Sequence, residues 1–93
     1  MKLPIKYKDA TWQERRSARS EYAVLQNNLC ANCKNLLSDE PPESITSRKI
    51  NKSLFPVSMF SYPVHLHHDH KTGLTIGAVH SLCNAVLWQY HGE

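Results

Sequence analysis

Cys30-Ala31-Asn32-Cys33 and His80-Ser81-Leu82-Cys83 each place two soft metal ligands on one turn of chain, and the two pairs lie about fifty residues apart. Four thiolate and imidazole donors meet the tetrahedral preference of Zn²⁺, whereas Mg²⁺ and Ca²⁺ seek oxygen. The constraint is strong because the chain has only 93 residues, which allows one domain with a modest core. Domains of that size commonly need a metal, a disulfide or a partner subunit. Three cysteines are an odd number for a disulfide framework, and a redox dithiol would be expected inside a βαβ pattern that is absent here. Cys30, Cys33, His80 and Cys83 are therefore expected to hold a structural zinc that ties the first third of the chain to the last. His65 and His91 are alternatives to His80 as fourth ligand.

The rest of the chain divides around these pairs. Residues 1–10 carry Lys2, Lys6 and Lys8 and read as an extended basic arm. Thr11-Trp12-Gln13-Glu14 has the form of a capping box, and a helix is expected over 11–28 with Ala18, Tyr22, Leu25 and Leu29 on its apolar stripe. Residues 29–36 form the cysteine knuckle. Residues 38–61 have no period of either kind and read as a long irregular insertion, with one short helix expected near Ile45–Asn51. Residues 62–91 read as a strand over Tyr62–His67, a turn at His70–Gly73, a returning strand over Leu74–Ala78, and a helix from about His80 to Tyr90 stopped by Gly92. No apolar run reaches the roughly 20 residues of a membrane span, and Met1-Lys2-Leu3-Pro4 lacks the hydrophobic stretch of a signal peptide. A cytoplasmic location and no membrane partner are expected.

His67-His68-Asp69-His70 puts three imidazoles and a carboxylate at the tip of the expected hairpin. Imidazole is a base near neutral pH without strong tuning. Strict alternation along a strand would send His67 and His68 to opposite faces, so the chain must leave regular strand geometry there if both serve one site. The net charge of +3 permits a nucleic-acid partner without demanding one. Arg15, Arg16 and Arg19 cluster on the first helix away from its apolar stripe. Arg48, Lys49, Lys52 and Lys71 supply further cations. Such residues mostly meet phosphate and carry little sequence information.

The run His67-His68-Asp69-His70-Lys71-Thr72-Gly73, then Gly77, then His80-Ser81-Leu82-Cys83-Asn84 resembles the active-site segment of HNH endonucleases. Their fold is also called ββα-metal or His-Me finger, and the nearest branch is the endonuclease VII-like group common in phages. Members carry a Cys-x-x-Cys knuckle, an Asp-His-x-His-x-x-Gly segment, and a second Cys-x-x-Cys followed directly by Asn. Here fifteen residues separate His68 from Cys83, as the family pattern requires. The resemblance covers about residues 29–88. It implies a small α+β fold: a zinc-stabilised ββα-metal core with an N-terminal helix and a long irregular insertion.

By that resemblance the chain is a metal-dependent DNA endonuclease. His68 matches the general base, His67 and Asn84 the ligands of a catalytic divalent ion, and His70 a contact to phosphate or leaving group. Cys30, Cys33, His80 and Cys83 match the structural zinc ligands. The catalytic ion is Mg²⁺, Mn²⁺ or Ni²⁺. DNA is the expected partner, a monomer or a homodimer fits, and a phage-encoded member would work in the host cytoplasm. His67 stands where the branch more often has Asp, His80 replaces a Cys, and Ile76 replaces a usual Arg, so a phosphate contact must come from elsewhere. The alternative is a non-catalytic zinc-ribbon module that binds DNA or protein with the same cysteines.

Overall fold

A computed structural model describes residues 1–92 as a small α+β protein built on a two-stranded antiparallel sheet. Helix α1 (Trp12–Leu25) starts at Thr11, whose hydroxyl accepts from the Glu14 N–H while the Glu14 carboxylate accepts from the Thr11 N–H, the expected capping box. It ends earlier than the expected 28. Asn27 and Asn28 adopt positive φ of 56° and 61° and turn the chain into the knuckle, a conformation Asn tolerates better than most residues. The stripe is also shorter than expected: Ala18 is buried and Tyr22 half-buried, but Leu25 is 68% exposed.

Strand β1 (Val64–His68) pairs with β2 (Thr75–His80), and α3 (Ser81–His91) follows directly, with Gly92 at φ 69° closing it in the left-handed conformation. The first strand starts two residues later than expected and the second runs two residues further. The hairpin turn is held by Asp69, whose carboxylate accepts from the N–H groups of Lys71 (2.7 Å) and Thr72 (3.0 Å). Gly73, at φ 76°, supplies the conformation the turn requires. The arm is docked rather than free. The Thr75 N–H donates to the Ile5 carbonyl and the Tyr7 N–H to the Gly73 carbonyl, so residues 5–7 lie along the start of β2.

The expected short helix in the insertion forms earlier, as α2 (Glu43–Thr46), after Pro42. Two 3₁₀ turns follow at Lys52–Leu54 and Val57–Ser61. The segment is fastened to α3: the Lys49 carbonyl accepts from the Tyr90 hydroxyl (2.6 Å) and the Gln89 amide (3.0 Å), and Phe55 meets Trp88 edge-on. Lacking a period, it is ordered by its contacts to α3.

Between α1 and β2 the decisive residue is Gln26. Its Nε2 donates to the carbonyls of Leu29 (2.8 Å) and Ala78 (2.9 Å), and its Oε1 accepts from the Ala78 N–H (2.9 Å). The side-chain amide thus pairs with β2 as a strand would. It also explains Gly77, where an added Cβ would lie 2.7 Å from Gln26 Oε1. Gln26→Ala leaves the buried Ala78 N–H without this acceptor and is expected to cost about 2–3 kcal/mol, measured by denaturant unfolding at fixed zinc concentration. Loss of under half a kcal/mol would show the pairing to be incidental.

Candidate functional site: a thiol–imidazole cluster and a histidine cleft

Cys30, Cys33, His80 and Cys83 converge so that their ligand atoms all lie within 4.8 Å of one another. The knuckle is held against β2 by the Ala31 N–H, which donates to the Ala78 carbonyl (3.0 Å), and closes on itself with Lys34 at φ 69°. His80, at the junction of β2 and α3, donates from Nε2 to the Leu36 carbonyl (2.9 Å). A carbonyl only accepts, so the other nitrogen carries the lone pair. That Nδ1 lies 3.3 Å from Cys33 Sγ and 3.8 Å from Cys83 Sγ. These separations suit a tetrahedron around zinc, whose sulfur edges are roughly 3.8 Å. His80 is thus the fourth member of the cluster that could hold a metal. His65 faces away from the cluster and His91 lies exposed at the end of α3.

The electrostatics of the cluster also suit a cation. Cys30 is pulled towards the thiolate, first by a hydrogen bond from Cys83, with burial opposing and the N–H groups of Cys33, His80 and Asn32 helping. Cys83 is pushed the other way, first by that same bond to Cys30 and then by burial. Three thiols this close cannot all ionise alone; a divalent cation lets them. The residues therefore fit a metal ion such as zinc.

The second constellation lies across β2 and α3 from the first. Asn84 follows Cys83 and stands about 100° further round α3, where its Oδ1 is 3.2 Å from His67 Nδ1 and its Nδ2 is 3.3 Å from His65 Nδ1. His65 and His67 share a face of β1 at the strand period of two. The ladder breaks register after His67, which pairs with Gly77, whereas His68 pairs with Thr75 and leaves Ile76 as an extra residue on β2. A bulge of this kind twists the pair and re-aims side chains. His67 and His68, consecutive on β1, both line one cleft of about 850 Å³, together with His65, Leu66, His70 and Asn84.

The cleft's other wall is α1, from which Arg15, Arg16 and Arg19 face it, and no carboxylate lines it among the described residues. Arg15 is partly committed to structure, donating from Nε (2.9 Å) and an Nη (2.7 Å) to the Tyr7 carbonyl. Its guanidinium lies 4.0 Å from the centroid of the Tyr7 ring, and His68 stacks on that ring at 4.1 Å. His70 sits 4.7 Å from His68. Burial, followed by the charges of His70, His67 and Arg15, holds the His68 pKa below the ordinary histidine value; Asp69 opposes this. Burial, then Arg19, does the same for His65.

The remaining cations are not gathered here. Arg48 lies over the Tyr90 ring and lines a smaller hollow beside Cys33, Lys52 lies over Phe60, Lys71 sits in the hairpin turn, and Lys49 is exposed on the insertion. Asp69 serves the turn. Tyr7 and His65 belong to the cleft without having been singled out for it. For His65 the signal was available, two residues before His67 on one strand face. For Tyr7 there was none, because its place depends on docking of the arm. Among the described residues no helix is long and apolar enough to cross a membrane. Comparison with protein-family models, curated proteins and solved structures gave no match to this chain.

Proposed function

We propose that the chain is a metal-dependent DNA endonuclease of the HNH, ββα-metal kind, hydrolysing phosphodiester bonds in the histidine cleft. One observation carries the reading: His67, His68, His70 and Asn84, the residues that the resemblance assigns to catalysis, line a single cleft faced by three arginines and, among the described residues, no carboxylate. His67 and Asn84 would hold the divalent ion. In the structure His67 Nδ1 donates to Asn84 Oδ1 at 3.2 Å, and the ion would take the place of that shared proton. When bound, the ion supplies positive charge to the scissile phosphate and its leaving oxygen.

The chain's own residues do the rest. His68, whose pKa burial and the neighbouring charges hold below the ordinary histidine value, accepts a proton from the attacking water at a ring nitrogen. Tyr7 holds that ring in place by stacking. Arg16 and Arg19 bind the phosphates, supplying from α1 the contact that Ile76 cannot make. His70 contacts the phosphate or the leaving group. His65 orients Asn84 through the Asn84 amide. The structural zinc in the Cys30–Cys33–His80–Cys83 cluster fixes the start of α3, and with it Asn84.

The test is cleavage of supercoiled plasmid by protein that keeps its structural zinc and receives Mg²⁺, Mn²⁺ or Ni²⁺ separately. Conversion to nicked or linear circles is expected. An imidazole donor suits the later ions better than Mg²⁺, so rates with Mn²⁺ or Ni²⁺ should equal or exceed that with Mg²⁺. Activity confined to Mg²⁺ would remove His67 as a ligand. Plasmid retarded in a gel but never cut by any ion would leave the non-catalytic zinc module in its place.

A further inference from the structure

The cleft carries groups that phosphate hydrolysis does not use. Trp12 and Tyr62 both line it, and each keeps 67% of its surface exposed. On α1, Trp12, Arg15, Arg16 and Arg19 recur at i, i+3, i+4 and i+7, so one helix face presents an indole and three guanidiniums together. The cleft, of about 850 Å³, is an open groove with room for a nucleotide and its neighbours. Open aromatic rings interleaved with cations match a polynucleotide strand, which offers a phosphate and a π-face at every residue. A duplex stacks its bases on each other and shows proteins only phosphates and groove edges. It would engage the arginines and leave the indole and the phenol idle.

We propose that the cleft receives DNA whose bases are unpaired at the scissile point, with bases stacked on Trp12 and Tyr62 and phosphates at Arg16 and Arg19. This rests on the nuclease reading of the same cleft. The test measures binding of a fluorescent 12-nucleotide DNA single strand, and of the same sequence as a duplex, to the zinc-loaded protein without a second divalent ion.

The single strand is expected to bind at least about tenfold more tightly, and Trp12→Ala and Tyr62→Ala each to weaken it about tenfold while changing duplex affinity less than twofold. Arg16→Gln should weaken both forms alike. Both aromatic residues are exposed, so these variants should fold, which zinc content and circular dichroism check. Equal affinity for the two forms, or single-strand binding indifferent to both aromatic variants, overturns the proposal. Cleavage of the same oligonucleotides with Mn²⁺ is scored separately. Single-strand preference that depends on the aromatics without any cutting sustains the strand site and defeats the nuclease reading. Cutting of both forms with equal affinity does the reverse.

Discussion

Removing the metal from the Cys30–Cys33–His80–Cys83 cluster is expected to unfold most of the chain. Of its three largest fully buried side chains, Val79, Cys30 and Cys83, two are cluster thiols. These pack with Leu37 and Ala78 into one buried cluster, against which Cys33, Tyr22 and Ile45 lean, and the other buried apolar side chains are Ala18, Leu66, Ala85 and Val86. The thiols thus sit inside the core, and the apolar side chains buried with them are few and mostly small. Structural zinc contributes about 10–16 kcal/mol of apparent binding free energy at neutral pH, comparable with or above the roughly 5–15 kcal/mol that keeps ordinary domains folded. A strong chelator should abolish the cooperative thermal transition and most of the helical signal, and zinc should restore both. Cys83→Ser should behave as the chelated protein does, and elemental analysis of the wild type should find one zinc per chain. A sharp melt retained after complete chelation would sink the prediction.

His68→Ala should lower plasmid cleavage on the order of 10³-fold, within the range for loss of a general base, while zinc content and thermal stability hold. The residue lies outside the cluster and is only half-buried, so little packing is lost. His70→Ala separates the two neighbouring imidazoles. His70 is exposed beside the turn, and removing a phosphate or leaving-group contact should cost less than removing the base. Residual cleavage by His68→Ala within about tenfold of wild type would end its assignment as base. Asn84→Ala should also lose activity, and added Mn²⁺ should partly restore it if the loss lies in ion affinity.

Much of this was legible in the chain because it is local. The capping box at Thr11 and Glu14 needs only a three-residue spacing and a backbone that turns helically. The hairpin between His68 and Thr75 needs Gly73 at a positive φ and a carboxylate at Asp69. The paired spacings of Cys30–Cys33 and His80–Cys83 make one tetrahedral cluster the economical solution, and the four side chains do converge. The order strand, turn, strand, helix over the last third was read correctly to within two or three residues at each end.

The cleft was not legible in the same way, because each of its parts depends on contacts between residues distant in sequence. No local pattern announces that Ile76 is skipped in the ladder beside His67 and His68, or that both histidines reach one cleft. The basic arm read as extended, but its docking on β2, which stacks Tyr7 on His68, rests on hydrogen bonds to residues 73–75. Nothing in the helical pattern over 11–28 marks Gln26; only when β2 lies beside it does its amide find Ala78. The cations sorted likewise: Arg15, Arg16 and Arg19 face the cleft while Arg48, Lys49, Lys52 and Lys71 do not, a division set by the packing of α1 against the hairpin. Spacing within a few residues determines ligands, caps and turns because the backbone itself supplies their geometry. Which side chains share a cavity depends on register and packing, which only contacts between residues distant in sequence decide.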